Sequence, residues 1–190
     1  MAIIAFDFDG TLLDSRKRHI IVMRDILKNH NIDINVDDLV EFKSNGKNNI
    51  DYLVSKGIDA NTASDIQKQW VENIEKDEYL ENDILYNDAI DLLNKYSADN
   101  DLILLTARAN IDGLNNQIDK FDLRKYFKNI FIVEPGKKAS DLKADILKSQ
   151  HAILMIGDTN SDARASLLAG TDFLFHENGF HNKEIITKDK

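Results

Sequence analysis

The stretch Ala2-Ile3-Ile4-Ala5-Phe6-Asp7-Phe8-Asp9-Gly10-Thr11 decides how this chain is read. Its first five residues are all apolar rather than alternating apolar with polar, which describes a strand covered on both faces, as in a parallel sheet. The run ends at a carboxylate, repeats it two residues later and then turns at a glycine. In an open parallel sheet ligands bind beyond the carboxyl ends of the strands, so Asp7 and Asp9 fall where a site is expected.

Working outward, the strand is expected over 2–8, and four later runs have the same character: 102–106 (LILLT), 130–133 (IFIV), 152–157 (AILMIG) and 172–176 (DFLFH). Helix-like stretches separate the later ones, at 110–120, 141–149 and 161–169, the last closed by Gly170 as a C-terminal cap. Strands alternating with helices imply right-handed crossovers. The expected fold class is α/β, a Rossmann-like three-layer core with a parallel sheet.

Between Ser15 and Asn82 no run resembles a buried strand. His19, Ile20, Met23, Ile26, Leu27 and His30 follow helical spacing, as do Ile50, Leu53 and Val54. Ile66, Trp70 and Ile74 recur every four residues after Thr62, read as an N-cap. An inserted α-helical cap subdomain over 15–82 therefore divides a core made of 1–14 and 83–190.

Composition narrows the function. The chain of 190 residues carries 33 Asp and Glu against 24 Lys and Arg, a formal charge of -9, and no Cys. The acidic excess opposes binding to nucleic acid or an anionic membrane face, which needs a basic footprint. Without cysteine there is no disulfide scaffold, thiolate nucleophile or Cys-bound metal, and a reducing cytosol is compatible. The first apolar run is too short for a secretion signal and no window approaches the ~20 apolar residues of a membrane span. A cytoplasmic protein, monomeric or weakly dimeric, acting on a small molecule is expected.

A second acidic motif, Gly157-Asp158-Thr159-Asn160-Ser161-Asp162, also joins an apolar strand to a helix. Three or four carboxylates gathered beyond one sheet edge repel unless a cation neutralises them or some are protonated. An all-oxygen set without His or Cys nearby suits Mg²⁺. Thr106 ends the second apolar run, where a hydroxyl and free backbone N–H groups can hold phosphate oxygens. After 130–133 comes Gly136-Lys137-Lys138, where a lysine could balance substrate charge.

DFDGTLLDS, LLTAR, the loop lysine and GDTNSD resemble, in order and in strand-end position, the four motifs of the haloacid dehalogenase superfamily, in its phosphatase and phosphotransferase branch. The helical insertion directly after the first motif resembles that family's C1-type cap, as in phosphoglycolate phosphatase-like and β-phosphoglucomutase-like members. The resemblance implies a phosphatase acting on a small soluble phosphate monoester. Asp7 would be the nucleophile, forming an aspartyl-phosphate. Asp9 would protonate the leaving oxygen and then take a proton from water, which requires a pKa high enough for both. Mg²⁺ would be held by the Asp7 carboxylate, the Asp9 backbone carbonyl and Asp158, with Asp162 in direct contact or one step removed.

In the same reading Lys137 balances the charge, with Lys138 and Lys143 as alternatives, and Thr106 holds phosphoryl oxygens. Substrate contacts are expected from Gly10, Thr11 and Ala107, while Arg108 is either a substrate contact or a surface residue. In the insertion, 43–49 (KSNGKNN) resembles the substrate-specificity loop of such caps, which points to Gly46 and Lys47. A carboxylate at Asp9 disfavours dehalogenation, since a halide needs no proton. A phosphomutase, or an idle protein binding a metabolite on the same fold, are the competing readings.

Overall fold

The computed structural model describes residues 1–186. The core elements are β1 (Ala2–Phe6), β2 (Leu13–Asp14), then the inserted helices α1 (Arg16–Asn29), α2 (Leu39–Ser44), α3 (Asn49–Ser55), α4 (Ala60–Asn73) and α5 (Asp77–Leu80). The chain returns through β3 (Ile84–Leu85), α6 (Ala89–Ser97), β4 (Asn100–Ala107), α7 (Ile111–Lys120), β5 (Phe127–Val133), α8 (Ala139–Ser149), β6 (Ala152–Gly157), α9 (Asn160–Ala169), β7 (Asp172–Phe175) and α10 (Lys183–Ile186).

Five of these strands form one parallel sheet in the order β5-β4-β1-β6-β7. The chain runs from β1 outward to β5, then crosses back to β6 and β7, so the strand order reverses beside β1. Side chains alternate between two apolar layers. Ile4, Phe6, Leu102 and Leu104 pack with Leu93, Leu114 and Ile118 of α6 and α7. Ala5, Ile103 and Leu105 face the other way, onto Ala144, Leu147 and Ala165 of α8 and α9. This is the α/β/α arrangement expected from continuous apolar strands.

The inserted helices form a cap subdomain with an apolar cluster of its own, built on Val22, Met23, Leu39, Tyr52, Leu53 and Ile66. Its two connections to the core pair with each other: β2 and β3 form a short antiparallel ribbon, with Leu13 opposite Leu85. Strands of two residues carry no periodicity, so this neck has no signature in the sequence.

Two local differences have simple causes. The first strand ends at Phe6 rather than Phe8, because beyond Asp7 the backbone winds into a turn in which Leu12 and Leu13 both donate to the Phe8 carbonyl at 2.9 Å. Helix α4 begins at Ala60, capped by Asp59, whose carboxylate accepts the N–H groups of Asn61 and Thr62. Thr62 is therefore inside the helix. Gly170 does close α9, in the left-handed conformation at φ 69°.

Candidate active site

The turn after β1 and the start of α9 after β6 are brought together by strand pairing, Phe6 lying opposite Ile156. Asp7, Asp158 and Asp162 each direct one carboxylate oxygen to a common point, all within 4.8 Å of one another. All three are buried. Thr159 caps α9 and shares a capping box with Asp162, which orients that carboxylate inward.

Two glycines make room for Asp158. A Cβ at Gly10, which sits at φ 80°, or at Gly179 would overlap the Asp158 side chain. Thr11 Oγ1 donates to Asp158 Oδ1 at 3.4 Å and the Phe180 N–H to its Oδ2 at 2.6 Å. His176 Nδ1 lies 3.0 Å from the Gly10 carbonyl and so ties β7 to the same turn.

The lysine at this cluster is Lys143, not Lys137. From the buried face of α8, Lys143 Nζ donates to Asp7 at 2.8 Å and to Asp162 at 2.6 Å. Lys137 and Lys138 precede that helix and are exposed. Burial opposes the charge on Lys143, but the Asp162 and Asp7 carboxylates outweigh it and raise its pKa.

The acids respond to crowding. Burial pushes Asp7 up to about 7 against the pull of Lys143, and Asp162 adds to the rise. Asp158 is raised well above the usual carboxylate range by burial and by Asp7 and Asp162. If all three carboxylates were ionised, the one ammonium would leave two negative charges in this buried pocket. That donor set fits a hard divalent cation such as Mg²⁺, and the unrelieved repulsion is the physical sign of it.

Asp9 stands apart from the cluster in a closed ring of charges. Arg108 grips it in a fork, Nε to Oδ2 at 2.6 Å and Nη2 to Oδ1 at 2.9 Å. Arg18 of α1 donates to Oδ1 at 2.5 Å and meets Asp83, near the return to the core, at 3.2 Å. Gln117 completes the ring, donating to Asp83 at 2.8 Å and accepting from Arg108 at 2.9 Å. Burial raises the Asp9 pKa, but Arg108 and Arg18 outweigh it and hold the group below the usual range. A raised value was expected for proton transfer; in this arrangement the two guanidiniums give the reverse.

The remaining expected residues divide. Thr106 is buried near the end of β4, with Ala107 after it. Arg108 is not a surface residue: only 3% of it is exposed. Gly46 and Lys47 are exposed and the structure brings neither to the acidic cluster. Lys43, one turn earlier, is the residue that turns inward, toward His19, Trp70 and Phe180. Lys143 is one of the three lysines the sequence offers for this position and Arg18 is not marked by it, yet each interrupts the apolar stripe of its helix. A charge in phase with an apolar stripe was the available signal.

A parallel sheet with a carboxylate site at its strand-order reversal and a helical cap beside it defines a class of α/β hydrolytic folds. The profile of the haloacid dehalogenase-like hydrolases matches residues 4–176, and the chain belongs to that family. A haloacid dehalogenase-like family hydrolase from Streptococcus pneumoniae superposes with a TM-score of 0.78 at 18% identity, over 99% of this chain and 90% of that one. A predicted phosphatase from Clostridium acetobutylicum gives 0.72 at 18% identity, over 98% and 89%. A predicted phosphoglycolate phosphatase from Haemophilus somnus gives 0.71 at 18% identity, over 100% and 91%. At such identities the likeness is one of fold. No curated protein matches the chain. Among the described residues no helix is long and apolar enough to cross a membrane.

Proposed function

We propose that this hydrolase is a Mg²⁺-dependent phosphatase acting on a small phosphate monoester through an aspartyl-phosphate on Asp7. The observation that carries the reading is the placement of Lys143 between Asp7 and Asp162 with Asp158 alongside. A free carboxylate at a strand end, backed by an ammonium and set in an acidic cation pocket, is how a nucleophile for an anionic phosphoryl group must be equipped.

Asp7, Asp158 and Asp162, with the Asp9 carbonyl, would hold Mg²⁺. Bound there, the cation would offset the repulsion between carboxylate and phosphate, roughly 1 kcal/mol per charge pair at ~4 Å in water and several times that in a drier site. Lys143 pulls Asp7 toward its ionised form and supplies positive charge for the equatorial oxygens. Thr106, at the end of the adjacent strand, holds those oxygens together with loop amides. Asp7 attacks phosphorus as the ester oxygen departs, and water then cleaves the acyl phosphate.

Asp9 carries the proton in both halves: it gives one to the leaving oxygen and takes one from water. While Arg18 and Arg108 both grip it, Asp9 stays ionised and can act only as base. An incoming anionic substrate competes for those guanidiniums and so releases Asp9 for its acid role. We assign 15–82 as the cap that carries Arg18 over the core of 1–14 and 83–190.

Asp7→Asn tests this. The variant should fold, by circular dichroism, and lose hydrolysis of a generic aryl phosphate in the presence of Mg²⁺. Retained turnover would sink the mechanism.

A further inference from the structure

One residue past β7 the chain buries an imidazole beside the acidic site. His176 is 6% exposed, and its main-chain N–H donates to the Gly157 carbonyl at 2.9 Å, which carries the pairing of β7 with β6 one step further. Its two ring nitrogens face acceptors from distant parts of the chain. Nδ1 lies 3.0 Å from the Gly10 carbonyl, and Nε2 lies 3.4 Å from Asp88 Oδ2. A carbonyl oxygen can only accept, so Nδ1 carries a hydrogen and donates it.

The surroundings hold this ring in one orientation. Tyr86 meets it edge on, with ring centres 5.1 Å apart and planes at 62°. Tyr86 is itself fixed by its N–H, which donates to the Leu12 carbonyl at 3.0 Å, and the Arg16 guanidinium lies 5.5 Å from the centre of its ring. Asp88 stands just before α6, where a carboxylate ordinarily accepts from the first N–H groups of the helix. It makes no such bond, and its Oδ1 is buried without a partner among the described residues. The Asp88 side chain turns to His176 instead, and a carboxylate behind an imidazole restrains the ring.

The other partner matters for the site. Gly10 stands at φ 80° between Asp9 and Thr11. Because a peptide group is planar, a bond to the Gly10 oxygen fixes the plane shared with Thr11, whose Oγ1 donates to Asp158 at 3.4 Å. The carbonyl one residue upstream is that of Asp9. Gly179 closes over the same oxygen, so tightly that a Cβ there would lie 2.7 Å from it.

We propose that His176, oriented by Asp88 and Tyr86, is a positioning residue of the cation pocket: its Nδ1–H fixes the Asp9–Thr11 turn on which the Asp9 carbonyl and the space for Asp158 depend. The inference rests on the reading of Asp7, Asp9 and Asp158 as cation ligands. His176 acts through the Gly10 carbonyl rather than on a carboxylate of the cluster. Tyr86 and Asp88 both follow β3, so the same ring ties the segment that returns from the cap to the turn after β1.

The test is calorimetric titration of the full chain with Mg²⁺, with the urea midpoint in its absence measured alongside. His176→Phe keeps a ring against Tyr86 and loses the donor, whereas His176→Asn gives up the ring and places an amide N–H close to where Nδ1 stood. Positioning through the bond predicts that His176→Phe weakens Mg²⁺ binding about tenfold or more and that His176→Asn recovers most of the loss. If His176→Phe does not fold, Asp88→Ala carries the test, since it removes a half-exposed side chain that caps no helix; it should weaken Mg²⁺ binding severalfold. Packing alone predicts the opposite order, with His176→Phe close to the unsubstituted protein and His176→Asn weak. That order, affinities that merely follow the urea midpoints, or an Asp88→Ala protein that binds Mg²⁺ undiminished overturns the role of His176 and leaves the cation pocket standing. An unsubstituted protein that binds no Mg²⁺ overturns both.

Discussion

Arg18, on the first helix of the cap, donates to Asp9 in the core at 2.5 Å, while its Nε lies 3.2 Å from Asp83. Only 3% of the Arg18 side chain is exposed, and the Asp83 side chain is fully buried. One guanidinium thus joins the cap, the segment that returns to the core and the turn after β1. Removing one member of a buried ion pair strands the other charge, at a cost of about 3–5 kcal/mol. Arg18→Met should lower stability to urea by an amount in that range. Adding Asp83→Asn should restore part of it, which a double-mutant cycle reads directly.

Lys143 and Lys137 separate the structure from the motif. Lys143→Met should lower kcat for an aryl phosphate by about a hundredfold to a thousandfold, the usual cost of one electrostatic contact to a transferring group. Lys137→Met, at an exposed position, should change kcat less than twofold. Equal effects would show that the lysine at Asp7 is structural.

The elevated Asp7 pKa predicts how pH and cation act together. In the metal-free protein Asp7 titrates at about 7 against an ordinary value of 3.8. The native state therefore binds a proton more tightly than the unfolded chain between those values, and stability falls as pH rises from about 4 to 7. A divalent cation replaces the proton and removes the penalty. Mg²⁺ should raise the melting temperature by several degrees at pH 8 and little at pH 5. A cation effect independent of pH, measured by scanning calorimetry, would contradict the assignment of the pocket.

Much of this was legible in the residues. The parallel core follows from apolar runs, because strands covered on both faces have no polar alternation to hide them. The acidic pair Asp7 and Asp158 follows from position at strand ends. What escaped was whatever depends on a side chain reaching across the fold. Lys143, offered by the sequence only as an alternative to Lys137, lies six residues beyond it, inside the buried face made by Ala139, Ala144 and Leu147. Arg18 follows two other basic residues, a pattern that ordinarily solvates a helix, yet it shares a buried face with Val22 and Met23. Within the expected 43–49 loop Gly46 and Lys47 are exposed, and the residue that turns inward is Lys43, on the last turn of α2. The β2–β3 neck left no trace at all, being made of backbone pairing between two-residue strands.

Gly179 offers a test of the geometry around the cation pocket. A methyl group there would overlap Asp158 and press on the Gly10 carbonyl. Gly179→Ala should weaken Mg²⁺ binding at least tenfold, by titration calorimetry. The nearest atoms are the Asp158 β-carbon and the Gly10 backbone carbonyl rather than the far end of a flexible side chain, so the urea midpoint without Mg²⁺ should fall as well.

The central claim is that Asp7 becomes phosphorylated. Acid-quenched enzyme caught during turnover of an aryl phosphate with Mg²⁺, then reduced with borohydride, converts an aspartyl-phosphate to homoserine that peptide mass spectrometry can place. The account predicts homoserine at position 7 and nowhere else, and none in the Asp7→Asn protein. Steady release of phosphate without any adduct at position 7, continuing in Asp7→Asn, would contradict it.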